Sequence, residues 1–194
     1  MEPILCYIRE SYFKEQKDLK KVLDPGDTSK QSKRTHLCIK VEIDSNQYYI
    51  PLRNNLGDAV RKFGRIGHSV PSAKRKNAGL DYRYALIIND SQYIELQTEL
   101  KIPNSQYRCI RNDMDIITKE FETYLRGYVK AVKKKRNEKE PLYRESSLIN
   151  FIDCFDIWCT YTNSVLALNQ IKQEKPSYHY NFGCKNLVYA IKYL

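Results

Sequence analysis

A single histidine, His68, sits inside a 31-residue stretch that carries a net +6 of this 194-residue chain's +10. Between positions 53 and 83 lie Arg53, Arg61, Lys62, Arg65, Lys74, Arg75, Lys76 and Arg83, opposed by Asp58 and Asp81, a net of +6 out of the whole chain's +10. Residues of these types suit the handling of a phosphodiester. Cutting RNA without a metal needs a group to take the 2′-OH proton and an acid for the leaving 5′-oxygen. It also needs cations or hydrogen-bond donors for the charge that develops on the phosphoryl oxygens. His68 can exchange protons near neutral pH, while Arg53, Lys74 and Lys76 can stabilise anionic oxygen. Arg65, Arg75 and Arg83 add backbone-holding charge in the same stretch, where phosphate neutralisation would make binding salt-dependent. A lone histidine is more often structural and a charge run more often a solvated face. The residues alone therefore leave binding, catalysis and plain solvation all open.

Other chemistries find little footing. The chain has no phosphate-binding G-x-x-x-x-G-K-[ST], no dinucleotide glycine set, no G-x-S-x-G elbow and no His-Glu-x-x-His. Its six cysteines include no Cys-x-x-Cys pair, and its three histidines are dispersed, so reduced, buried thiols and the absence of a structural metal are expected. Sixteen tyrosines accompany one tryptophan. Tyrosine can stack on splayed bases, but most of these must pack in or around the core. No run approaches the ~20 apolar residues that span a bilayer, and the start Met1-Glu2-Pro3-Ile4-Leu5-Cys6 lacks the basic residues and long apolar stretch of a signal peptide. A cytoplasmic protein that meets no membrane is expected.

The elements that must position these residues are legible in part. Ile4-Leu5-Cys6-Tyr7-Ile8 reads as a strand, and Ser11 as a cap for a helix through Tyr12, Phe13, Leu19 and Val22. A polar, basic loop over 28–35, carrying Lys33 and Arg34, leads to an alternating strand over 37–43. A turn at Asp44-Ser45-Asn46-Gln47 returns the chain as Tyr48-Tyr49-Ile50-Pro51-Leu52, which predicts a hairpin. From 53 to 82 glycines and Pro71 punctuate what reads as one long loop, with room for a short helix, and long loops in compact domains are usually functional. Residues 85–88 read as a buried strand and 107–110 as a weaker one, for a sheet of roughly five strands. From Asp113 the period changes: Met114, Ile117, Phe121, Tyr124, Leu125, Tyr128 and Val132 share one face of a helix that runs into Lys133. Ser146 or Ser147 caps a further helix, and 166–171 suggests another.

The ordered segments Ile39-Lys40-Val41-Glu42-Ile43, Tyr49-Ile50-Pro51-Leu52-Arg53-Asn54-Asn55, Lys76-Asn77-Ala78-Gly79-Leu80-Asp81-Tyr82 and Ala85-Leu86-Ile87-Ile88-Asn89-Asp90 resemble the toxins of type III toxin–antitoxin systems. The resemblance is to the ToxN/AbiQ superfamily, most of all its TenpN-like branch, and runs from about Leu5 to about Phe151. It implies an α+β fold: a small twisted antiparallel β-barrel or sheet of the MazF/Kid kind with packed helices. Residues 1–155 would form the endoribonuclease domain and 156–194 a helical C-terminal extension packed on it.

The resemblance further implies metal-independent RNA cleavage by 2′-OH attack, leaving a 2′,3′-cyclic phosphate, with no cofactor. It implies inhibition by a small structured antitoxin RNA trimmed from repeats, cellular or phage mRNA as substrate, a hetero-oligomeric RNA–protein complex, and phage defence by abortive infection. The family's groove residues fall here on Arg53 and Asn54, on Tyr12, and on Arg34 with Lys33 beside it. The Thr-Ser of ToxN-type chains after Pro-Leu is Arg53-Asn54 here, the lysine soon after is Leu56, and the branch lysine near Gly-Leu-Asp-Tyr is Tyr84. Asn54 donates hydrogen bonds but is no base, so His68 is left to move the proton. Asp81 and Tyr82 are expected to fix the long loop against the next strand. The alternative is a non-catalytic RNA-binding protein of the same fold.

Overall fold

The computed structural model describes residues 2–41, 45–64 and 66–155, without the side chains of Ala59 and Arg61. Arg65, the predicted helical piece at 166–171 and the whole predicted extension at 156–194 lie outside the described residues.

Among the described residues, seven strands form one antiparallel sheet: β1 (Ile4–Ile8), β2 (His36–Lys40), β3 (Gln47–Arg53), β4 (Gly67–Ser69), β5 (Gly79–Asp81), β6 (Leu86–Ile87) and β7 (Ile94–Leu96). The order is β4-β5-β3-β2-β1-β7, with β6 also on β3. Among the described residues the ends of that path do not pair, so of the barrel or sheet that the resemblance implied, the structure shows an open sheet. The predicted hairpin is present as β2–β3, in register from His36 opposite Pro51 to Lys40 opposite Gln47.

Strand β3 is central because its two halves serve different neighbours. Tyr48 and Tyr49 face Ile87 and Leu86 of β6, whereas Leu52 and Arg53 face Leu80 and Gly79 of β5.

The stretch read as one long loop is built. Helix α3 (Asp58–Phe63) lies between Gly57 and Gly64, whose φ values of +71° and +54° favour residues without a Cβ. A β4–β5 hairpin follows, zipped by Val70 N–H to Ala78 O at 2.8 Å and closed at its tip by reciprocal backbone bonds between Ser72 and Arg75. At Gly79 the strands approach so closely that a Cβ would lie 2.2 Å from His68 O.

Two helices precede the β2–β3 hairpin, and the first is shorter than the sequence suggested: α1 spans Glu10–Glu15. The polar segment before β2 contains α2 (Thr28–Ser32), with Asp27 accepting the Lys30 N–H as its cap.

The predicted strand over 107–110 is instead helix α4 (Asn104–Asn112), which buries Gln106 and Ile110. It runs almost directly into α5 (Met114–Lys133), whose buried face is Met114, Ile117, Phe121, Tyr124, Leu125, Tyr128 and Ala131. Each fully buried large apolar side chain contributes roughly 1.5–3 kcal/mol, so this stripe is what seats α5 on the sheet. Its aromatic contacts begin with Phe121, 5.1 Å from Tyr48 and 5.6 Å from Tyr82. They continue through Tyr124 and Tyr128, which both meet Tyr143. Much of the tyrosine excess is therefore core.

A 3-10 turn at Tyr82–Tyr84 joins β5 to β6, and a kinked 3-10 segment, Ser147–Cys154, begins at the predicted Ser146 cap. Cys6, Cys38 and Cys109 are free thiols, as expected, but Cys154 is disulfide-bonded.

Candidate functional site

Side chains alternate across a sheet, and directly paired residues share a face. On β3, β5 and β4 the pairs Leu52–Leu80 and Leu80–His68 therefore point one way, and Arg53–Gly79 and Gly79–Ser69 the other. The first face carries α5. The second face also carries Asp81, two residues beyond Gly79, and His36, which pairs with Pro51 two residues before Arg53. The structure thus separates Arg53 from His68, and the histidine on the arginine's face is His36.

Arg53 is anchored. Its Nη1 donates to Asp81 Oδ2 at 2.7 Å. The same carboxylate, completely buried, also receives Arg83 Nη2 at 2.8 Å and Arg83 Nε at 2.9 Å. Both guanidinium groups lie over the Tyr84 ring, at 5.3 and 5.4 Å from its centre. Burial opposes the charge on Arg83, but Asp81 outweighs it and raises the guanidinium pKa. Arg83 is thus a buried partner of Asp81 and not the surface phosphate contact expected from the sequence. The Arg53 side chain keeps 27% of its surface exposed, enough to meet a ligand from a fixed position. Asp81 ties the segment to Arg53 of β3 and to Arg83, where the sequence had suggested the strand that follows.

Asn54 and Asn55, directly after Arg53, are exposed. Leu56 N–H bonds to Asn77 O at 2.9 Å, which holds this asparagine pair beside the turn end of the β4–β5 hairpin. Lys74, Arg75 and Lys76 are exposed at the hairpin's turn. The result is a cationic prong next to an anchored arginine and two amides.

The remaining expected residues fall elsewhere. Tyr12 on α1 is buried against Phe13 and Tyr93, both 5.4 Å between ring centres, and burial pushes its phenol far up. Its neighbour Phe13 lines a small cleft together with Gln31, Arg34, His36, Pro51 and Tyr84. Arg34 is paired with Asp24 there. Burial pushes the Asp24 carboxyl up, but hydrogen bonds from Lys30 and Arg34 prevail and hold it below the usual range. Lys33 is exposed nearby, at the end of α2.

His36, which sequence reasoning passed over, is buried in the cleft wall with Nδ1 2.8 Å from Arg34 O. Desolvation lowers its pKa to about 3, so it is a neutral imidazole at pH 7 and a weak base. Nothing in the sequence around it signals this, because its burial comes from pairing with Pro51 and from the helices above.

On the opposite face, His68 is held by carboxylates: Nδ1 is 2.9 Å from Glu120 Oε2 and Nε2 is 3.3 Å from Asp113 Oδ2. Among the described residues, His68, Cys109 and Asp113 are the group that could hold a metal ion.

In structure the chain is similar to AbiQ, a lactococcal anti-phage endoribonuclease of the type III toxin–antitoxin system, with a TM-score of 0.56 at 16% identity over 80% of this chain and 99% of that one. The fold is AbiQ-like. A further likeness, TM-score 0.48 at 15% identity over 64% of this chain and 79% of the other, is to a chain from a bacterial type III toxin–antitoxin system in which a non-coding RNA pseudoknot selectively inhibits the toxin. No family model matches the sequence, and no curated protein matches it. The resemblance seen in the sequence is thus one of fold, and AbiQ's whole length is spanned by it. Among the described residues, no helix is long and apolar enough to cross a membrane.

Proposed function

We propose that the chain is an RNA-cleaving toxin of a type III toxin–antitoxin system, with residues 1–155 as the nuclease domain. The observation that carries this reading is the anchored Arg53, partly exposed beside Asn54 and the cationic hairpin, on an AbiQ-like fold. The substrate's own 2′-hydroxyl, its proton passing to solvent, attacks the adjacent phosphorus, the P–O5′ bond breaks, and the departing 5′-oxygen takes a proton from solvent, leaving a 2′,3′-cyclic phosphate and a 5′-hydroxyl. Arg53 stabilises charge on the non-bridging oxygens and Asn54 donates a hydrogen bond. Lys74, Arg75 and Lys76 grip the flanking backbone, with Lys33 on the far side of the cleft. No metal takes part in the cleavage step. A small repeat RNA that occupied the same face would silence the enzyme and answer to the same cations, and phage defence would follow from its loss.

The test is incubation of the purified full chain with RNA in EDTA. Products ending in cyclic phosphate, lost in Arg53→Ala, are expected. A second reading, a non-catalytic RNA-binding protein, is favoured by the placement of His68 away from Arg53. Salt-sensitive binding without cyclic-phosphate ends selects it.

A further inference from the structure

Helix α4 sets Cys109 and Asp113 one turn apart, joined by the Asp113 N–H to Cys109 O bond at 3.0 Å, so their side chains share a face. Strand β4 brings His68 to that face. Asp113 Oδ2 is 3.3 Å from His68 Nε2 and 3.5 Å from Cys109 Sγ, and all three donor atoms lie within 4.8 Å of one another.

The orientation of the imidazole is set from behind. Glu120 Oε2 sits 2.9 Å from His68 Nδ1 and also accepts the Tyr82 hydroxyl at 2.8 Å. With Nδ1–H donating to Glu120, a neutral ring aims the Nε2 lone pair at Asp113 Oδ2, while the Cys109 thiol donates to the same oxygen and has Ser69 O, 3.8 Å away, as a second acceptor. Lone pairs facing one another at this distance need a positive centre between them. A proton on Nε2 serves the histidine and the carboxylate; a metal ion serves all three donors.

We propose that His68 Nε2, Cys109 Sγ and Asp113 Oδ2 form a zinc site that fastens the β4–β5 hairpin to the α4–α5 junction. Mixed nitrogen, sulfur and oxygen donors suit Zn²⁺ and not the all-oxygen preference of Mg²⁺ or Ca²⁺. The spacing fits as well. Zinc bonds of ~2.0–2.1 Å to nitrogen, ~2.3 Å to sulfur and ~2.0–2.2 Å to oxygen at tetrahedral angles put N···O about 3.3 Å and S···O about 3.5 Å apart. Two of the three separations are already present, and the third, Nε2 to Sγ, lies within 4.8 Å. Glu120 then plays the outer-shell role of the carboxylate that fixes a ligating histidine. The Asp113 side chain keeps 33% of its surface exposed, which leaves the fourth position to water. On binding, the Cys109 thiol proton is released and the sulfur–zinc bond takes its place. The site lies on the opposite face of the sheet from Arg53, so it braces the cationic prong without entering the proposed cleavage site.

The test uses the full chain purified without chelator and then exhaustively dialysed. Elemental analysis is expected to find one zinc per chain. Co²⁺ added to the metal-free chain is expected to give a near-ultraviolet thiolate charge-transfer band, lost in Cys109→Ser and weakened in Asp113→Asn. Glu120→Gln should lower zinc affinity roughly 10–100-fold while keeping the band. Should Cys109→Ser fail to fold, alkylation of the wild-type chain followed by peptide mass analysis reads the same question. Zinc should slow modification of Cys109. The proposal is overturned by no retained zinc and no cobalt band, by a band of full strength in a folded Cys109→Ser, or by alkylation of Cys109 at the same rate with and without zinc.

Discussion

Arg53 Nη1 and Asp81 Oδ2 meet at 2.7 Å across neighbouring strands, so the cation offered to a ligand is oriented before any ligand arrives. Arg83 grips the same carboxylate from two further nitrogens. Two arginines around one buried aspartate leave a net positive charge at this point, and Arg53 is the more exposed of the two.

Removing Arg53 should cost catalysis more than stability, because Asp81 keeps Arg83 as its counter-ion. Losing one donor to a developing oxyanion typically costs about 10²–10³ in rate. Arg53→Ala is therefore expected to cut RNA at least a hundredfold more slowly while its circular dichroism and melting midpoint stay close to the parent. A lysine there restores charge without the planar fork, so Arg53→Lys should recover only part of the rate. Retention of full activity in a folded Arg53→Ala chain rules the arginine out.

Asp81→Ala should show the reverse pattern. It strands the buried Arg83 guanidinium, whose carboxylate partner among the described residues is Asp81, and breaking a buried pair this way costs about 3–5 kcal/mol. Urea unfolding would read the loss as a lower midpoint. A destabilisation under about 1 kcal/mol would mean that the pair behaves as a surface ion pair.

Replacing Lys74, Arg75 and Lys76 together with alanine should leave the fold untouched and weaken RNA binding. Each phosphate of a single strand that the protein no longer neutralises lowers the slope of log K against log salt by about 0.7. The triple variant is expected to flatten that slope by roughly 2 if all three side chains touch phosphate. An unchanged slope would remove the hairpin from the interface.

His36 provides a pH signature. Its folded pKa, lowered mainly by desolvation, is about 3 against an ordinary 6.5, so the unfolded chain takes up a proton that the native chain refuses. Stability from this group is complete above pH 6.5 and is lost as pH falls from there towards 3, at up to about 1.4 kcal/mol per pH unit. His36→Asn should be less stable than the parent at pH 7.5, with the gap narrowing by pH 5. A gap that is constant with pH would contradict a neutral, buried His36.

The parts of the fold that were legible in the sequence are those whose pattern is long enough to repeat. Strand β1, the β2–β3 hairpin and α5 each show their period over five or more residues. The β4–β5 hairpin escaped because its strands are three residues each and its Ser72-Ala73-Lys74-Arg75 turn has no glycine. Tyr107-Arg108-Cys109-Ile110 imitates a strand over four residues, and its helical period emerges only when Gln106 and Ile110 are joined to Met114 and Ile117 on one continuous face. At the site, charge marked the segment that carries the cationic turn, but pairing register decided which side of the sheet each residue takes. That is why His68 joined Asp113 and Glu120 in place of Arg53. The thiol and carboxylate that converge on His68 come from a helix distant in sequence, and no local spacing announces them.

The exposed turn bearing Lys74, Arg75 and Lys76 also bears on how such a chain can change over generations. Its side chains lie outside the core, while the strands beneath it are held by the backbone ladder and by Gly79. Under the proposed reading, in which this turn grips RNA, substitutions there alter what is gripped without disturbing how the chain folds. Lineages under shifting pressure can therefore revise recognition at the tip while the platform around Arg53 and Asp81 is inherited intact.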